Sequence, residues 1–353
     1  MTAGPVRRGL LRAAQFGRLP PVGATLTLVA VGLAAGSAGG DPAVRRAAAV
    51  ALAAVLFHIG VYVCNDIVDV KIDRTDPRRA HLPLAAGLVP VRLAVLVVAV
   101  ALLSGAAVLW AATTDPAVLG CYALATAGLL GYDLLGKRTP VPPVLDLVQG
   151  AGWGFLVLLA AASAGSVGAA AGWLAGSAGL YVALVNGVIA GLRDLPNDRR
   201  HGARTTAVLF MARPAAVPAR PGVPARRLPA GFQAYALALH LLAAAACLAG
   251  VGTLAGLDPA GRRPALVLSA AGELVCLLLL ASGLRRYDGA RGGWRTGFGY
   301  IVLALWSLAT PVLARFGGVA LGLVSAVLLV PWLGSRVVQS LWRAGPDPSA
   351  AAT

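Results

Sequence analysis

The sequence predicts an all-helical, polytopic membrane bundle of about nine transmembrane helices, with one further apolar run near the C-terminus that makes a tenth possible. Two observations carry this. First, 58% of the 353 residues are hydrophobic and 12% are charged, about half the charged share of a soluble globular domain, and the mean hydropathy is +0.78. Second, apolar segments of about 20 residues, the length that crosses a hydrocarbon core about 30 Å thick, recur along the whole chain. An ordinary soluble enzyme, a disordered tail and a disulfide scaffold are excluded.

In chain order the spans fall at roughly 22–40, 47–65, 91–112, 116–132, 144–164, 167–192, 231–256, 264–283 and 298–314. The run at 318–335 is either a tenth span or the bent second half of the ninth. Residues 1–21 form an N-terminal segment ahead of a helical domain at 22–335, and 336–353 form a tail. Arg7, Arg8, Arg12 and Arg18 before an apolar run imitate a signal peptide, but the many later spans favour a retained first helix. Small residues such as Gly150-Ala151-Gly152 permit close helix packing in lipid. An open sheet cannot satisfy its backbone there, so the packing is all-helical.

The net charge of +16, from 30 basic and 14 acidic residues, resembles a nucleic-acid binder until its distribution is read. Arginines cluster between apolar runs without aromatic interleaving, which excludes nucleic acid as a partner and points to anionic lipid headgroups. With the N-terminus inside, only Arg45, Arg46, Arg262, Arg263 and Arg315 fall in outer loops, leaving 25 basic residues inside. This bias predicts that the charge-rich loops are cytoplasmic. The stretch 213–229, rich in Pro and Arg, reads as a flexible cytoplasmic loop. Two lysines against 28 arginines, with abundant Ala, Gly and Val, look like a high-G+C bacterial genome, and hence a plasma membrane. Cys64, Cys121, Cys247 and Cys276 lie far apart in apolar runs and read as buried hydrophobes.

The acidic residues carry the functional signal, and 13 of the 14 are Asp. The second span runs into Asn65-Asp66-Ile67-Val68-Asp69-Val70-Lys71-Ile72-Asp73, so Asn65, Asp69 and Asp73 recur at i, i+4 and i+8 along one helical face. The sixth span runs into Arg193-Asp194-Leu195-Pro196-Asn197-Asp198, a second acidic pair at i and i+4 if the helix continues through Pro196. Like charges 4 Å apart repel by about 4 kcal/mol at an effective dielectric near 20, so helix stability does not explain the pattern. A divalent cation does. Oxygen-only ligands suit Mg²⁺, which shares its remaining positions with water and substrate phosphates. Two such clusters would bridge a diphosphate, with Lys71, Arg78, Arg79, Lys137, Arg138, Arg199, Arg200 and Arg204 neutralising it on departure.

Asn65-Asp66-x-x-Asp69-x-x-x-Asp73 resembles the first aspartate-rich motif of the UbiA superfamily of intramembrane prenyltransferases. Asp194-x-x-x-Asp198-x-x-x-Gly202-x-x-Thr205 resembles the second. The likeness extends to the motifs' places after helices two and six, and to Tyr132 with Lys137-Arg138, covering roughly residues 20–320. It implies a UbiA-like bundle around a lipid-open cavity, where Mg²⁺ binds a prenyl diphosphate that ionises to an allylic cation captured by a lipophilic acceptor, often aromatic. Asn65, Asp66, Asp69, Asp73, Asp194 and Asp198 then match the metal positions, with Asp69, Asp73, Asp194 and Asp198 the catalytic carboxylates; Asp66 points about 100° from Asn65. The sequence departs from the family at His81-Leu82-Pro83-Leu84, where Leu82 stands at a common Arg position, unless Arg78 or Arg79 reaches in.

The alternatives are a membrane terpene cyclase, which captures the cation intramolecularly, and a non-catalytic transport or assembly component on the same scaffold. A phosphatidyl-alcohol transferase lacks its D-G-x-x-A-R motif here. Asp146 and Glu273 lie inside spans, where an ionisable group is costly and functional by default. The helix dipole explains Asp146 equally well, and a hydrogen-bonded structural acid is the stronger reading for Glu273. His58 and Tyr62 lie near the site face of span two, with packing and one hydrogen bond the favoured role for His58. His240 carries no signal beyond packing.

Overall fold

The computed structural model describes residues 5–37, 44–76, 78–211, 228–287 and 293–343. Among them the chain is entirely helical. An amphipathic helix α1 (Pro5–Phe16) precedes α2 (Val22–Gly36), α3 (Val44–Asp73), α4 (Val91–Ala112), α5 (Pro116–Leu135) and α6 (Pro142–Ala164). Next, α7 (Ala169–Leu184) passes through a wide π-helical turn (Val185–Ala190) into α8 (Gly191–Arg200), followed by the short α9 (Thr206–Met211). The last helices are α10 (Ala230–Gly252), α11 (Pro259–Arg285), α12 (Gly293–Leu308) and α13 (Thr310–Arg343). Most of the loop expected at 213–229, through residue 227, lies outside the described residues, as do 1–4 and 344–353.

Among the described residues, eight helices are long and apolar enough to cross a membrane, counting α7 to α8 as one, and α2 and α12 are shorter apolar helices in the same bundle. The chain is a multi-pass membrane protein. Hydropathy left the C-terminal run open, and Gly317 marks its start. Its φ of 82° breaks α13, in a backbone region that glycine enters without steric cost. Just before the break, Arg315 donates to the carbonyl of Ala34 (3.3 Å) at the end of α2 and to that of Ala255 (2.5 Å). Ten residues beyond the break, the Val327 carbonyl lies against Gly23 at the start of α2. Beyond Gly317 the chain therefore packs antiparallel to α2.

The core is built on α6, which packs against α2, α5 and α7. Phe57 of α3 meets Trp153 of α6 and Tyr122 of α5 edge-on, at centroid distances of 5.8 and 6.0 Å. Close approach of α6 and α7 depends on Gly150 and Gly179, since a Cβ on Gly150 would fall on the Gly179 carbonyl. Without a hydrophobic drive between helices in lipid, such backbone proximity supplies much of the packing energy. The Cα of Gly150 lies one turn from Asp146, so this contact also sets the wall of the cavity described below. The four cysteines are unbridged, with Cys247 and Cys276 buried and Cys64 and Cys121 half-buried.

Gly150→Val should destabilise the bundle by about 2 kcal/mol, as overpacking at a tight contact does, and lower the midpoint of thermal unfolding in detergent. Gly172→Ala, where a Cβ meets open space, should leave that midpoint unchanged or raise it slightly. Equal effects of the two substitutions would contradict the packing described.

Candidate active site

Where α3, α5 and α8 end on one side of the bundle, a cavity of about 530 Å³ opens. Its mouth is polar, lined by Arg18, Asn65, Asp69, Arg79, Lys137, Arg193, Asp194 and Asp198. Its body is largely apolar, with Leu28, Val61, Leu129, Trp153, Val182, Ile301 and Leu305 among its walls.

Helix α8 continues through Pro196, so Asp194 and Asp198 do share a face and both reach the cavity. Each motif carboxylate meets a cation. Lys137 Nζ donates to Asp69 Oδ2 (2.7 Å) and lies 4.0 Å from Asp198 Oδ1. The Arg79 guanidinium donates to Asp73 Oδ1 (3.1 Å) and Asp194 Oδ2 (3.2 Å). Lys137 and Arg79 thus each join the first motif to the second. Arg193 and Arg78 also bind Asp194, and Arg78 binds Asp76. Asp76, beyond the spans, is held below the ordinary carboxylate range chiefly by that Arg78 hydrogen bond. Burial works against the charge of Arg79, but Asp194 and Asp73 outweigh it and hold the guanidinium above its ordinary pKa.

Several expected positions lie elsewhere. Asp66 turns away from the cavity to Arg18, which grips it through Nε (3.0 Å) and Nη2 (2.5 Å). Asp73 lies behind Arg79 and does not line the cavity. Both shifts follow from helix geometry, since residues one and eight positions from Asn65 sit about 100° and 80° off its direction. Lys71, Arg138, Arg199, Arg200 and Arg204 are exposed and outside the cavity lining. Lys71 lies on the opposite side of α3 from Asp69, Arg199 donates to the Met211 carbonyl, and Arg204 meets Lys137 only through its backbone. From the turn before Leu82, Arg79 reaches the cavity lining, whereas Arg78 pairs with Asp76 and Asp194 outside it.

His58 is buried and outside the lining; its Nε2 donates to the Arg18 carbonyl (2.9 Å) and, in the neutral ring, Nδ1 accepts from Thr25 (2.7 Å). Arg18 itself has a φ of 51°, uncommon for a non-glycine residue, and this contact fastens it. Tyr62 and Tyr132 line the cavity. Asp146 lines it as well and accepts a hydrogen bond from Thr206. Glu273 sits behind the wall, receiving the Tyr181 hydroxyl, and His240 bonds the Tyr300 hydroxyl (3.0 Å). Arg18, Asp133, Gln149 and Asn186 were not singled out as site residues from the sequence, yet all four line the cavity. Asn65 Nδ2 donates to Asp133 Oδ1 (3.1 Å), which turns the Asn65 carbonyl oxygen away from that acid.

The donor set at the mouth, one amide and three carboxylates lining the cavity, consists of oxygen ligands and fits Mg²⁺. Among the described residues no three acidic, His or Cys side chains converge into a preformed cluster. The two motifs instead converge pairwise, on Lys137 and on Arg79, which suits an ion that takes one or two carboxylates and completes its shell with phosphate and water.

Fold and site define a multi-pass helical membrane protein with two aspartate motifs facing each other across the mouth of an intramembrane cavity. The family model described as the UbiA prenyltransferase family matches residues 25–291, and the chain belongs to that family. It is 31% identical over 184 residues to the 4-hydroxybenzoate octaprenyltransferase of Pseudomonas entomophila (strain L48), a match covering 52% of this chain and 60% of that protein. The chain thus spans three-fifths of that relative's length. The fold is shared with a UbiA homolog from Aeropyrum pernix K1 (TM-score 0.60, 24% identity, 84% of this chain and 96% of that one). It is also shared with one from Archaeoglobus fulgidus bound to GPP and Mg²⁺ (TM-score 0.63, 16% identity, 86% and 99%).

Arg79→Leu should strand Asp73, which is 2% exposed, and cost about 3 kcal/mol, as removing one partner of a buried ion pair does. Asp73→Asn in the same chain should recover part of that loss. Thermal unfolding of the two variants decides it, and a double variant no more stable than Arg79→Leu would show that Asp73 does not depend on Arg79.

Proposed function

We propose that this protein is a Mg²⁺-dependent integral-membrane prenyltransferase, which ionises a prenyl diphosphate and transfers the prenyl group to a lipophilic acceptor, aromatic or other. The observation that carries the reading is the convergence of both aspartate motifs, through Lys137 and Arg79, on the mouth of a cavity whose body is largely apolar. A prenyl diphosphate has the same division, with an anionic head and a hydrocarbon tail. The membership of the UbiA prenyltransferase family and the named activity of the Pseudomonas relative support it.

Asn65, Asp69, Asp194 and Asp198 would hold Mg²⁺, and Asp73 and Asp66 act one step behind, by anchoring Arg79 and Arg18. When bound, the metal supplies charge neutralisation for the departing diphosphate. Lys137, Arg79, Arg18 and Arg193 line the mouth and present donors to phosphate oxygens, the arginines with planar forks suited to them. Stabilising charge where it develops is the largest single contribution such a site makes. The apolar walls below the mouth exclude water from the allylic carbon, so that the acceptor rather than water captures it. The loop-by-loop excess of Lys and Arg supports a cytoplasmic mouth in a plasma membrane. Arg79, which lines the mouth from the turn before Leu82, offers a cation there and supports the catalytic reading over the non-catalytic one.

Purified protein given geranyl, farnesyl and longer prenyl diphosphates should release diphosphate with Mg²⁺ and not with EDTA. Asp69→Ala and Asp194→Ala should each lower release at least about 100-fold. Release that requires an aromatic acceptor identifies a transferase; equal release without one identifies a cyclase. Silence across the whole panel would overturn the enzymatic reading.

A further inference from the structure

Below the mouth, one wall of the cavity is not apolar. Asp146 and Gln149 project from successive turns of α6, and Asn186 projects from the π-helical turn, all three lining the cavity. A π-helical turn inside an α-helix widens the backbone locally and recurs at functional sites. Here it brings Asn186 Nδ2 to Gln149 Oε1 at 2.5 Å. It also places Gly187 against Asp146, where any Cβ would collide with the carboxylate. The acid is accommodated by the absence of a side chain at that position.

Asp146 is buried, at 5% exposure. Its Oδ2 accepts from Thr206 Oγ1, while Oδ1 makes no hydrogen bond among the described residues. The Gln149–Asn186 bond uses the Gln149 oxygen as acceptor, so the Asn186 oxygen is left as a further acceptor and the Gln149 amide as a donor. All three side chains line the cavity, where an occupant that displaces water must supply donors to their acceptor oxygens. None of these groups carries positive charge, and the cations of the mouth are engaged with the motif carboxylates.

We infer that Asp146, Asn186 and Gln149 form the acceptor subsite of the cavity, and that it selects an uncharged acceptor presenting a hydroxyl donor, held by Asp146 Oδ1. This rests on the prenyl-transfer reading for the identity of its occupant as an acceptor. An anionic group on this wall meets the Asp146 charge in a desolvated setting, whereas a hydroxyl gains a charge-assisted bond worth about 1.5–3 kcal/mol. Asp146 is on this account a specificity-determining residue.

The test uses the full-length protein in detergent, with Mg²⁺ and the slowly ionising geranyl thiolodiphosphate, and two fluorescent probes measured by equilibrium dialysis. The probes are 2-naphthol and 2-methoxynaphthalene, in which a methyl group replaces the hydroxyl hydrogen and removes the donor. 2-Naphthol should bind at least about 10-fold more tightly, although the ether is the more apolar, and Asp146→Asn should narrow the ratio to about 3-fold or less. Asn186→Leu, which leaves the acid and its Thr206 bond in place, should weaken 2-naphthol several-fold and serves if the first variant does not fold. Equal binding of the two probes to the unaltered protein, no binding of either, or a ratio unmoved by the substitutions would overturn the inference. Mg²⁺-dependent binding of the thiolodiphosphate, measured separately, reports on the prenyl diphosphate reading. Its failure with naphthol selectivity intact would indict that reading and spare the subsite.

Discussion

Four carboxylates, Asp66, Asp69 and Asp73 on the end of α3 and Asp76 just beyond it, are each no more than 6% exposed. None is tolerable in so poorly hydrated a place without a cation, because an unpaired buried charge costs several kcal/mol. Arg18, Lys137, Arg79 and Arg78 answer them in that order, one from the N-terminal approach to α2, one from the α5–α6 connection and two from the segment after α3. The ladder of acids therefore dictates where three separate stretches of chain must lie. Two rungs continue across the mouth, Lys137 toward Asp198 and Arg79 to Asp194, and these fix α8 against the end of α3. The cavity mouth exists because those rungs hold its two sides at the span of one cation.

The same arrangement prepares the site for an anion. Every cation in it already serves a carboxylate, so an incoming diphosphate competes for donors rather than finding them free. Divalent ions held by Asn65, Asp69, Asp194 and Asp198, as proposed, would change that balance by neutralising the carboxylates and leaving basic side chains for the phosphates. A chain with the cations alone would trap phosphate, and one with the acids alone would repel it. On the proposed reading the mixture would bind it when metal accompanies it, which is a physical reason for motif aspartates and motif cations to occur together.

Much of this was legible in the sequence. Apolar lengths marked the passes, and spacing placed Asn65 with Asp69, and Asp194 with Asp198, toward a common space. That Arg79 reaches the cavity from the turn before Leu82 was also open to inspection, since it needed only a neighbouring turn. What was not legible depended on angles that accumulate or on partners far away in the chain. Asp73 looked equivalent to Asp69, yet an eight-residue step leaves it about 80° off the Asn65 direction, enough to turn it to Arg79. Arg18 lies 48 residues from Asp66 and reaches it from a left-handed backbone that no pattern announces. Asn186 and Gln149 meet because a π-helical turn shifts register within a segment whose hydropathy reads as an uninterrupted helix. The final apolar run was ambiguous for a related reason: whether Gly317 bends or reverses the chain is a question of one dihedral angle.

The polarity of the cavity then has a direction. Cations are gathered at the mouth, hydrocarbon fills the body, and acceptor oxygens from Asp146 and Asn186 lie along one wall. An amphiphile with an anionic head can enter this space in one orientation only, head at the mouth, because reversal would bury its charge in hydrocarbon and expose it to Asp146. That orientation leaves the acid-bearing wall beside the hydrocarbon end nearest the head. On the proposed reading, an acceptor lodged there would be held by its donors beside the carbon from which the diphosphate departs. Ordering the two molecules by charge requires no moving lid. It requires that the mouth stay cationic and the wall stay free of cations, a separation that the pairing of each basic side chain with a motif carboxylate maintains.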